Sequence, residues 1–152
     1  MTGARLTRIA DIAAYTFAGN AIFTLVSQAT GGRFTLRVRS RDRVGGVRDF
    51  YFVDVLTGPE NTHDYTFIGT VARTGEIIAP FRYSAKSTVA QDAPSVRAAM
   101  WFFRRLSAPN PDLEHAVEFY HSGDCARCGR LLTHPASIRT GLGPTCRDKL
   151  GR

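Results

Sequence analysis

Residues 33–41, Arg33-Phe34-Thr35-Leu36-Arg37-Val38-Arg39-Ser40-Arg41, alternate basic or polar and apolar side chains. Side chains of a strand point to opposite faces in turn. Phe34, Leu36 and Val38 therefore share one face, and Arg33, Thr35, Arg37, Arg39 and Arg41 share the other. Such alternation predicts a half-buried strand, with one face on a core and one toward water. Outward from it the pattern repeats. Upstream, residues 21–27 (AIFTLVS) form an apolar, β-favouring run, separated from it by Gly31-Gly32. Downstream, Gly45-Gly46 breaks the chain, and residues 49–56 (DFYFVDVL) are rich in aromatic and β-branched side chains. A polar loop over 57–64 carries a Gly-Pro pair, and residues 65–71 (YTFIGTV) predict a fourth strand. A fifth falls in 76–84, where Pro80 favours an edge or a bend. Strands this close, joined by short turns, predict an antiparallel meander or small barrel.

The flanks add helix. Residues 6–15 carry short helical character ahead of a turn at Ala18-Gly19-Asn20. After the strands, Val96, Ala99, Met100, Phe103 and Leu106 recur at helical spacing. Asp92 suits the N-cap of that helix and Pro94 its first turn. Residues 107–112 (SAPNPD) end it with two prolines. The expected fold is α+β: a small antiparallel sheet or barrel with one packed helix, plus a C-terminal zinc-knuckle module. The expected division is 1–106 for the mainly β domain, 107–115 for a linker and 116–152 for the module.

The chain has 152 residues, a hydrophobic share of 43% and three cysteines. That is enough apolar material for one core. No apolar run approaches the roughly 20 residues needed to cross a bilayer, and the N-terminus has no signal-peptide pattern. A cytoplasmic location and no membrane partner are expected. An odd cysteine count argues against a secreted disulfide framework. In a reducing compartment, clustered cysteines point to metal or redox chemistry.

All three cysteines lie near the C-terminus, in H121-S-G-D-C125-A-R-C128 and in G141-L-G-P-T-C146. Two thiolates separated by two residues reach one metal across a tight turn, and Gly129 supplies permissive backbone behind them. Cys146 adds a third thiolate near an expected helix N-terminus, whose positive end stabilises it. Structural zinc takes four ligands. His121 and His134 compete for the fourth place. His121 is favoured because a ligand ahead of the knuckle ties the module to the preceding chain. A redox pair would need a βαβ setting, and none is apparent. The expected cofactor is one structural Zn²⁺ held by His121, Cys125, Cys128 and Cys146.

The string C-x-x-C-G-R-x-L-T-x-P-x-S followed by G-x-G-P-x-C occupies Cys125, Cys128, Gly129, Arg130, Leu132, Thr133, Pro135, Ser137, Gly141, Gly143, Pro144 and Cys146. It resembles a small, uncharacterised zinc-binding domain of bacteriophage and bacterial proteins, over about residues 119–150. A histidine shortly before the first cysteine also occurs in that pattern, matching His121. Family members often carry another residue at the position of His134. The resemblance implies a zinc-stabilised module and no activity. Segments such as L56-T-G-P-E-N-T and Y65-T-F-I-G resemble phage-type accessory proteins.

A formal net charge of +7 suits contact with nucleic acid or another polyanion. The arginine face of 33–41, beside Phe50, Tyr51 or Phe52, is the pattern of a charged groove with stacking platforms for single strands. Arg127 and Arg130 extend the basic character into the zinc segment. A second basic-aromatic face holds Arg97, Trp101, Arg104 and Arg105, where Trp101 serves equally to widen the buried stripe. The loop with Glu60, His63 and Asp64, and Asp54 nearby in sequence, is the one polar cluster suited to acid-base or metal chemistry. Its residue types are equally those of a solvated turn. No phosphate-binding loop or dinucleotide fingerprint is present, and no small-molecule cofactor is expected. The leading expectation is a non-enzymatic nucleic-acid-binding accessory protein. The alternatives are a phage-type factor that binds host proteins and a metal-dependent nuclease.

Overall fold

The computed structural model describes residues 5–40, 49–59, 63–75, 77–108, 113, 116–126 and 140–142, the side chain of Asp49 excepted. The chain runs β1 (Arg5–Leu6), α1 (Ile9–Thr16), β2 (Asn20–Ser27), β3 (Arg33–Ser40), β4 (Asp49–Leu56), β5 (Tyr65–Thr74), β6 (Ile77–Ile78), β7 (Arg82–Tyr83), α2 (Pro94–Ser107) and β8 (Val117–His121). All eight strands belong to one sheet, in the order β1-β8-β2-β3-β4-β5-β6, with β7 also on β5. Every pairing is antiparallel. The architecture is α+β: a curled, half-barrel sheet with, among the described residues, the helices α1 and α2.

Strands β2 to β5 form the meander that their spacing predicts. Leu36 and Val38 on β3 and Tyr51, Val53 and Val55 on β4 are buried, and they define the inner face. The register puts Leu36 opposite Phe23 and Val55, and Val38 opposite Ala21 and Val53, so one face stays apolar across three strands. A bulge interrupts β4 and β5: Val53 pairs with Gly69 and Asp54 with Phe67, leaving Ile68 extra. Bulges add bend and twist, which helps the sheet curl. Gly69 is required there. A Cβ on it would lie 2.2 Å from the Arg82 carbonyl oxygen and 2.7 Å from the Phe81 ring.

The core is aromatic. Phe23 and Phe119 stack at 4.6 Å between centroids, and Phe102 lies 5.3 Å from Phe23. Helix α2 supplies Val96, Ala99, Phe102, Phe103 and Leu106, all buried. Each large apolar side chain buried in this way stabilises the fold by about 1.5–3 kcal/mol. On the far side Phe81 stacks on Phe103.

Three details differ from the sequence reading. A second helix joins the packed one among the described residues, because residues 9–16 form a full element that buries Ile12, Tyr15 and Thr16. The helix α2 is not capped by Asp92: the N-cap is Ala93, extended at φ −60° and ψ 143°, with no side-chain cap bond. A residue before proline is driven into that extended region, so with Pro94 opening the helix the cap falls one position past Asp92. Finally, the opening residues of the expected C-terminal module form a strand inside the sheet. β8 lies between β1 and β2, pairing Phe119 with Leu25 and with Leu6.

Among the described residues no helix is long and apolar enough to cross a membrane.

Candidate functional site

The outer face of the sheet, opposite the core, collects the basic side chains. Register places Arg39 opposite Phe52 and Arg37 opposite Asp54. Thr35 meets Thr24, and their hydroxyls hydrogen bond at 2.8 Å. Two further arginines join this face from other strands. Arg5 pairs with Tyr120 of β8, and Arg82 pairs with Thr70 of β5. Both are exposed. Nothing local marks them: each sits in a two-residue strand, too short to show a period, and only pairing assigns its face.

Asp54 organises the centre of this face. Its carboxylate accepts from Arg37 Nε at 2.8 Å, from Arg39 Nε at 2.6 Å and from Arg39 Nη2 at 3.1 Å. The Asp54 side chain is only 1% exposed, against 23% for Arg37 and 39% for Arg39. A carboxylate in mid-strand runs against β preference and survives burial because two cations satisfy it. The Arg39 contact is bidentate, Nε to Oδ2 and Nη2 to Oδ1, which fixes the guanidinium plane. Arg37 lies 4.6 Å from the Tyr65 ring centroid, and Arg39 5.2 Å from that of Phe52. Phe52 and Phe67 meet edge-on at 5.9 Å. The result is a lattice of guanidinium groups and half-exposed rings across β3, β4 and β5. Burial raises the Tyr65 phenol above its ordinary value, with Arg37 opposing the shift.

Arg33 is exposed on the same face. Arg41, Arg127 and Arg130 lie outside the described residues. Of the aromatic candidates on β4, Phe50 and Phe52 share the arginine face, whereas Tyr51 points into the core and donates its hydroxyl to the Phe17 carbonyl at 3.0 Å. Asp54 does not join the loop of His63 and Asp64, because both its oxygens are turned to the arginines. His63 Nε2 stands 3.9 Å from Asp64 Oδ1, with the histidine 69% exposed.

Two of the metal candidates, His121 and Cys125, are described, at and just beyond the C-terminal end of β8. Its last residue, His121, points to the inner face and is fully buried, its ring 5.4 Å from that of Tyr15. Cys125 is buried too. Backbone bonds stitch this segment to the sheet and to Gly141. Ser122 N–H donates to the Ile22 carbonyl at 3.0 Å, Asn20 N–H to that of Ala126 at 2.6 Å, and Ala126 N–H to that of Gly141 at 3.0 Å. Tyr15 is the hub. Its hydroxyl donates to the Ile22 carbonyl at 2.8 Å, and Gly141 packs on its ring so closely that a Cβ would lie 2.2 Å from Cδ1. Gly141 also has φ +76°, where side chains are strained. Burial raises the Tyr15 phenol above its ordinary value, opposed by its hydrogen bonds with Ser122 and with the Ile22 carbonyl.

The arrangement brings His121 and Cys125 into one short segment beside Tyr15. Cys128, Cys146 and the competing His134 lie outside the described residues. Among the described residues no group of three or more His, Cys, Asp or Glu side chains is placed to hold a metal. His121 Nδ1 accepts a hydrogen bond from Gly123 N–H at 3.0 Å. A ligating histidine normally donates from its second nitrogen. Metal at Nδ1 would therefore displace the Gly123 N–H. Metal at Nε2 would move the proton to Nδ1 and cost Gly123 its acceptor. Either way the Ser122–Gly123 turn has to adjust.

A protein-family model described as a family of unknown function, DUF6011, matches residues 116–151. The C-terminal segment, β8 included, is thus similar to a domain of an uncharacterised family. Comparison with curated proteins gave no match, and comparison with solved structures gave none either.

Proposed function

We propose that this chain is a non-enzymatic nucleic-acid-binding accessory protein that lays a single strand across the outer sheet face. The observation behind this reading is the Asp54 arrangement. One buried carboxylate holds two arginines in fixed positions beside Phe52, Phe67 and Tyr65. On this face Arg5, Arg33, Arg37, Arg39 and Arg82 outnumber Asp54 and Glu118 among the described residues. Phosphates meet cations there and bases meet rings, the two halves of single-strand recognition. In the same reading one structural zinc ion, held by His121, Cys125, Cys128 and Cys146, fixes the C-terminal segment against the sheet.

The test is fluorescence anisotropy with a labelled single-stranded oligonucleotide over a salt series. Affinity should fall steeply with salt. Arg33→Ala, which leaves the Asp54 cluster alone, should reduce the salt slope by about one. Phe67→Ala should weaken binding by about 1–3 kcal/mol if a base stacks on it. Absence of binding at low salt, or binding indifferent to both substitutions, would overturn the proposal. A protein partner that persists after nuclease treatment would favour the interaction-factor alternative.

A further inference from the structure

We propose that the core side of the sheet holds a separate binding site for a small, flat apolar molecule bearing one acidic group. A cavity of about 480 Å³ opens between the N-terminal half of α2 and the adjoining ends of β2, β3 and β8. It lies across the sheet from the arginine face and is independent of the nucleic-acid reading. Its origin is legible in the helix. Phe102 and Phe103 fill the space between α2 and the sheet. One turn earlier the helix offers Ala98, and the gap stays open.

The walls define the ligand. Leu25, Phe34 and Val117 line the sheet side, while Ala98 and Trp101 line the helix side. Trp101 is half-buried and packs against the core, and the Arg105 guanidinium lies 5.5 Å from its ring centroid. Ligand pockets commonly run about 300–1,000 Å³, and a cavity of about 150 Å³ already admits benzene. The space here therefore suits two or three rings. The polar groups are of one kind. Arg97 is the only charged side chain among the described lining residues, and it is exposed. Ser27 Oγ accepts from Thr30 N–H, and Thr30 Oγ1 accepts from Gly32 N–H, each at 3.2 Å. Each hydroxyl so engaged keeps its own proton to donate. An apolar chamber whose polar lining donates, with a guanidinium on its wall, complements an aromatic carboxylate or sulfonate.

Trp101 is the single tryptophan of the chain and lines this cavity. It is therefore the one indole donor for a dye bound there, and the cavity-filling variants below separate that signal from dye bound elsewhere. The probe is anilinonaphthalene sulfonate, excited by energy transfer from Trp101 in the native protein. Its uncharged counterpart, phenylnaphthylamine, serves as the comparison. Saturable binding at one site is expected, with the sulfonate preferred. Arg97→Gln should reduce that preference by about fivefold, the scale of a partly exposed ion pair, and leave the neutral probe unaffected. Ala98→Phe should abolish binding of both probes. Ala29→Phe fills the same cavity from an exposed loop and serves if Ala98→Phe does not fold. Undiminished binding in a folded cavity-filling variant would overturn the site. An unchanged preference in Arg97→Gln would overturn the acidic ligand class.

Discussion

Asp54 shows how one residue sets the character of a face. Without it, Arg37 and Arg39 would stand side by side as like charges with only water to separate them. With it, both guanidinium groups are anchored to a carboxylate that is 1% exposed. Breaking a buried pair costs about 3–5 kcal/mol when the orphaned charge stays buried. Here the arginines keep contact with water, so the loss is smaller. Asp54→Asn should therefore destabilise the protein by about 1–3 kcal/mol, measured by urea unfolding. It should also weaken single-strand binding despite raising the net charge, because the arginines lose their fixed directions. Stability within experimental error of the parent would show that the cluster holds nothing in place.

At the scale of the element, β8 is a sheet strand with a second role proposed for its last residue. Its alternation of Val117, Phe119 and His121 inward with Glu118 and Tyr120 outward makes it a sheet strand. The Tyr120 hydroxyl donates to the Glu118 carboxylate on the outer side. Its last inward residue is also the first proposed zinc ligand. A zinc ligand at this strand end, its ring 5.4 Å from that of Tyr15, would tie the proposed metal site to β2 and α1. Native protein prepared without chelator should contain about one zinc per chain, measured by elemental analysis. Cys125→Ser should lower that content sharply, and chelation should reduce thermal stability as well as metal content. Protein that is folded, reduced and free of metal would refute the zinc assignment.

For the whole molecule, the position of β8 decides how the chain can be divided. It fills the place between β1 and β2, and Phe119 stacks on Phe23 and Phe102. Removing residues from 116 onward would expose the edge of β2, strip β1 of its partner and open the aromatic core. The truncated chain should fail to give a cooperative unfolding transition, measured by circular dichroism against temperature. A cooperative fold in 1–115 would show that the sheet stands without its C-terminal strand. The amino-acid sequence by itself determined the meander β2 to β5, the amphipathic stripe of α2, the arginine parity of β3 and the cysteine spacing, because each follows from local periodicity or short-range backbone geometry. Only the tertiary structure decided that β8 inserts beside β2 and that Arg5 and Arg82 share the arginine face. It alone showed that Asp54 serves the arginines instead of the His63 loop, and that a cavity stays open beside Ala98. These depend on pairing and packing between residues distant along the chain, and local sequence carries no record of which distant strand or side chain will be the neighbour.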